Sequence, residues 1–108
     1  MRVNLHLWKA SLETLSFMSL SSADAVGGVI VTDWYSTATT PSERIKVIVY
    51  IKDRQLRADA IQVTLHKETL RSGSWVVAST DPKTARQLED IILSKARDLK
   101  IQYTQQND

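Results

Sequence analysis

Between residues 45 and 52 the chain alternates strictly. Ile45, Val47, Val49 and Ile51 fall on one side, and Lys46, Ile48, Tyr50 and Lys52 on the other. Period two is the geometry of a β-strand, whose successive side chains point to opposite faces. The first side is wholly apolar and must be covered. The second mixes charge with an aliphatic and an aromatic residue, the pattern of an antiparallel sheet with one face open to solvent. Whatever else the chain forms therefore has to supply a cover for one face of this strand and only one.

Two segments qualify as that cover. Asn4 is a candidate N-cap, followed by Leu5, Trp8, Leu12 and Leu15 at spacings of three, four and three, which is one stripe of an amphipathic helix. Asp81-Pro82 is a stronger start signal, a capping carboxylate followed by proline at the first helical position. Ala85, Leu88, Ile92, Ala96 and Leu99 then make a stripe of about five turns. Ile91 and Leu93 widen it, which places the second helix deep in the core. Gln102 to Asp108 reads as a polar, frayed tail.

The remaining strands lie between the helices. Phe17 to Ser21 is read as a short strand, and Ser22 to Gly28 as turn chemistry leading into Val29, Ile30, Val31 and Thr32. Gly27-Gly28 does not fit a phosphate cradle, because a strand follows the glycines where a helix is required. Thr37 to Ser42 is read as a loop, since Pro41 cannot donate to a central ladder. Strand character returns from Ala60 to Glu68, Arg71-Ser72-Gly73 is a turn, and Trp75-Val76-Val77 is a last strand. The expected fold is a single α+β domain over 1–108. It is a helix-grip-like two-layer sandwich, with an antiparallel meander of four to five strands and both helices on one face.

Composition excludes more than it selects. At 43% hydrophobic and 24% charged residues the chain is globular in character. There is no cysteine, which removes disulfides, thiolate metal sites and a cysteine nucleophile. The net charge of +2 comes from scattered basic residues and does not point to nucleic acid. His6 and His66 lack the spacing of metal ligands, no serine sits in a nucleophile elbow, and Glu89-Asp90 diverge as neighbours on a helix, a solvated face. No cofactor is implied. A hydrolase would need one of the histidines beside a serine and an acid. Trp8 belongs to the apolar stripe, and core packing is also the favoured reading for Trp34 and Trp75. Tyr35 and Tyr50, with Ile48 beside Tyr50, are the candidate interaction surface.

Three stretches carry a family resemblance: Leu7 to Met18, Ser21 to Asp24, and Gly27 to Tyr35. With Glu43-Arg44, Val49 to Ile51, Leu56 to Asp59 and Ala85 to Glu89, they make the chain resemble family 3576 of the domains of unknown function. That family is found in predicted lipoproteins of alphaproteobacteria. Trp8, Asp24, Gly28 and Thr32-Asp33-Trp34 also resemble the signature of BamC (NlpB) lipoprotein domains, which have a helix-grip fold and belong to the outer-membrane β-barrel assembly machinery. These resemblances imply a non-enzymatic domain on the periplasmic side of the outer membrane, with protein partners in the envelope. They imply contact with the membrane only through a lipid anchor, on a cysteine expected upstream of residue 1. The alternative is a carrier of a small hydrophobic ligand or lipid, in a cavity lined by Trp8, Val49 and Ile92.

Overall fold

Asn4 caps the first helix as its side-chain chemistry requires. In the computed structural model, which describes residues 3–106, its Oδ1 accepts the Leu7 N–H at 3.0 Å. Its amide group also donates to the Arg54 carbonyl at 2.9 Å, which ties the start of the helix to the loop after the long central strand. The elements are α1 (Leu5–Thr14), β1 (Leu20–Asp24), β2 (Val29–Thr32), β3 (Tyr35–Thr37), β4 (Thr40–Ile51), β5 (Ile61–Arg71), β6 (Ser74–Ala78) and α2 (Pro82–Gln106), with a short 3-10 turn at Ala58–Ala60. The strands form one antiparallel sheet in the order β1-β2-β4-β5-β6, and β3 also pairs with β4.

Both helices lie on the face that carries Val47, Val49 and Ile51. These pack with Ile30, Ile61 and Val63 from the sheet, and with Leu7, Ala10, Leu15, Ile92 and Ala96 from the helical layer and its connection, into one core. The α+β sandwich is thus as the alternation demands, with six strands where four to five were expected. On α1 the most buried positions are Leu7, Ala10 and Ser11. The stripe of Trp8 and Leu12 lies at the edge of the core, and Leu5 is exposed. α1 lies beside α2 on the sheet and packs against both, so its contact arc is set by two neighbours and not by its own periodicity. On α2, Leu93 is buried but Ile91 is 53% exposed, so the stripe is narrower than the apolar sequence.

Several boundaries move. The first strand begins at Leu20, because the chain spends Leu15–Phe17 on a further turn after α1 and β1 must end where Asp24 pairs with Val29. Phe17 is 59% exposed. Pro41 lies inside β4, yet in its second residue, beyond the stretch paired with β5, where no amide is needed. α2 runs through Gln102 to Gln106, so most of the expected tail is helical; 107–108 lie outside the described residues. The turns follow their chemistry. Gly28 has φ +74°, and Ser72-Gly73 close the β5–β6 hairpin with φ of 49° and 83°.

Candidate functional site

The helices leave the other face of the sheet uncovered, and the registers name its occupants. Val31 lies opposite Ile48 and Val29 opposite Tyr50. Arg44, Lys46, Ile48 and Tyr50 lie opposite Glu68, His66, Thr64 and Gln62. Val77 lies opposite Glu68 and Trp75 opposite Leu70. Residues directly opposite share a face, so this open face is a continuous surface of β-branched, aromatic and basic side chains.

At its distal end is a stack that the sequence reading did not anticipate. The Arg44 guanidinium carbon lies 4.5 Å from the centre of the Trp34 ring and 4.2 Å from that of Trp75, and the Lys46 ammonium is 4.9 Å from Trp34. Arg44 Nε donates to Glu68 Oε1 at 2.8 Å. A planar cation held between two indoles and fixed by a carboxylate across the strand is stiff, because each partner restricts the others. Trp34 and Trp75 are therefore half-buried at the surface and not in the core. The available signal was parity: Arg44 has the same parity as Lys46, Ile48 and Tyr50. Beside the stack a shallow depression of about 370 Å³ is lined by Trp34, Lys46, Ile48, His66, Glu68 and Val77.

Trp34 reaches this face through a one-residue irregularity. Val31 opposite Ile48 makes Thr32 the neighbour of Val47, and the Thr32 hydroxyl accepts the Val47 N–H at 2.9 Å. A regular ladder would next bring Trp34 opposite Ile45. It is Tyr35 that pairs with Ile45, so one extra residue lies between β2 and β3. Such a bulge reverses which face each later side chain meets. Asp33, at the bulge, donates its N–H to the Ser19 carbonyl at 2.9 Å.

The expected surface residues are thus divided. Ile48 and Tyr50 lie together on the open face. Tyr35 is on the helix side, packed against the core and edge-on to Phe17 at 5.3 Å between ring centres. The signature residues build the architecture. Asp24 Oδ1 accepts the Val26 and Gly27 N–H groups and closes the β1–β2 turn. The Gly28 carbonyl accepts from Ile51 N–H at 2.7 Å. Trp8 borders the core. Glu89 does not belong to a solvated pair. It is partly buried, and its carboxylate accepts the Val63 N–H.

The histidines are not brought together. His6 packs edge-on to Tyr103, and burial, then Lys100 and Lys9, hold its pKa below the usual histidine value. His66 lies on the open face. Among the described residues no three His, Cys, Asp or Glu side chains gather as metal ligands, and no helix is long and apolar enough to cross a membrane. Val49 and Ile92 are fully packed in the core, so the cavity expected between them and Trp8 is filled.

The family model described as a domain of unknown function (DUF3576) matches residues 1–101. The Uncharacterized protein RP420 of Rickettsia prowazekii (strain Madrid E) is 44% identical over 99 residues, which cover 92% of this chain and 59% of that protein. The chain thus spans about three fifths of the length of this curated relative.

Proposed function

The chain belongs to the DUF3576 family, and on that premise we propose that it is a non-enzymatic, periplasm-facing domain of an outer-membrane lipoprotein, acting by protein–protein contact in envelope assembly. The observation that carries the reading is the open sheet face. Ile48, Tyr50, Val29 and Val31 form an apolar centre there, flanked by the rigid Trp34–Arg44–Trp75 stack and by Lys46. An apolar centre with an aromatic and arginine border is the composition of an interaction hot spot. The resemblance of Trp8, Asp24, Gly28 and Thr32-Asp33-Trp34 to BamC domains supports the envelope setting.

The test is site-specific photocrosslinking in cells, with the probe at Tyr50 or, as a control, at exposed Arg97 on α2. A discrete envelope protein is expected on the Tyr50 probe alone, and it is lost when Ile48→Ala and Lys46→Ala are added. Identical adducts from both positions would remove the sheet face as the site.

A further inference from the structure

The two helices cover the sheet unequally, since α1 has 10 residues, about 15 Å, and α2 has 25, about 37 Å. β4 and β5 have 12 and 11 residues, which at about 3.3 Å per residue is roughly 35–40 Å of strand. Their helix-side positions past the core, Ile45 and Leu65, are only partly covered. Together with Leu15, Phe17, Leu88 and Ile91 they frame a groove of about 480 Å³. Phe17 is 59% and Ile91 53% exposed at this groove. Polar lining comes from Ser79, Thr80, Thr84 and Gln87, with one cation, Lys67, and one anion, Asp81.

We infer that this groove binds a fatty acid, its acyl chain along Ile45, Leu65, Leu88 and Ile91 and its carboxylate on Lys67. Three observations favour this occupant. The volume lies within the range of small-ligand pockets, about 300–1,000 Å³. Asp81 already accepts the Lys83 N–H at 2.9 Å, so its charge stays at the mouth and opposes a multiply charged headgroup. Lys67 is free to change partner: its contact with Glu43 is 3.5 Å long and half-exposed, and such pairs hold little. The groove opens on the helix side of the sheet and meets the depression beside the Trp34 stack at one edge, where Leu65, Lys67 and Thr80 line both.

The test is calorimetric titration of the full chain with laurate and with dodecanol, each below the concentration at which it aggregates. Saturable one-to-one binding of laurate is expected, with dodecanol weaker. Lys67→Met is expected to weaken laurate about tenfold, the loss of one charge-assisted contact, and to leave dodecanol unchanged. Ile91→Glu is expected to abolish both without altering the circular dichroism spectrum. Phe17→Ser, at an exposed position outside the helices, gives the same reading should Ile91→Glu fail to fold. Tyr50→Ala is expected to bind laurate normally. No saturable laurate binding, or binding unmoved by both groove variants, overturns the site. Equal losses for laurate and dodecanol in Lys67→Met overturn the role of the carboxylate.

Discussion

The carboxylate of Glu89 on α2 accepts the backbone N–H of Val63 on β5 at 2.8 Å. β6 pairs with β5 only from Lys67 to Arg71, so Val63 lies on a stretch of β5 that no further strand covers. The helix supplies the acceptor that a neighbouring strand would have supplied. A partly buried amide without an acceptor costs free energy.

Glu89→Ala is accordingly expected to lower unfolding stability by about 2 kcal/mol, the range for hydrogen bonds to charged groups. Glu89→Gln keeps an acceptor and should lose less than half of that. Urea unfolding measures both, and amide exchange at Val63 should accelerate selectively in the alanine variant. An unchanged exchange rate would mean the bond is not maintained in solution.

The Arg44 stack yields a spectroscopic prediction. Arg44 and Glu68 have side chains only 25% and 20% exposed, so Arg44→Ala removes two ring contacts and leaves a carboxylate poorly solvated. A loss of roughly 2–3 kcal/mol is expected. Tryptophan emission should shift to the red from Trp34 and Trp75 while Trp8 is unaffected, which single Trp→Phe variants can resolve. Arg44→Lys should recover little, because an ammonium cannot stack between two indoles.

How far each feature was legible in the sequence depended on how local its cause was. Asn4 and Asp81-Pro82 act on amides two or three residues away, and they mark the helix starts correctly. The alternation of Ile45 to Ile51 gave the core face of β4, because burial follows parity within one strand. The location of Trp34 was hidden. It depends on a register change between β2 and β3, which is a relation to β4 and leaves no local pattern in residues 29–37. Pro41 was misread for a similar reason, since only pairing shows which amides a strand needs. Gln102 to Gln106 stay helical although polar, continuing an α2 that docks on α1 through His6 and Tyr103.

Gly28 provides a test of the β1–β2 turn. Its φ of +74° disfavours any side chain, and an added Cβ would run into the Ile51 carbonyl and the Val3 side chain. Gly28→Ala is expected to cost roughly 3 kcal/mol, combining a left-handed backbone with overpacking. Gly27→Ala should cost about 1 kcal/mol, since its added methyl meets only the Asp24 carboxylate. Thermal denaturation of the pair decides the matter, and equal losses would contradict it.

His6 makes the contact between the helices sensitive to pH. Burial is the main cause of its lowered pKa, followed by Lys100 and Lys9. The unfolded chain therefore takes up this proton first as pH falls below about 6.5, while the folded protein resists it. Stability is unaffected well above that value and declines as pH drops through it toward the lowered folded value. His6→Gln should flatten the urea midpoint between about pH 7.5 and about pH 5.5. A wild-type midpoint that rises on acidification would reverse the sign and exclude this origin.

The extra residue at Asp33 divides the strand region into two reading frames. Before it, even-numbered positions of β2 point toward the helices; after it, odd-numbered Tyr35 does. A relative that lacked one residue here would exchange the fates of the indole and the phenol even with every other letter conserved. Alignments across this point therefore have to be judged by phase as well as by identity, and a substitution scan needs a different code on each side.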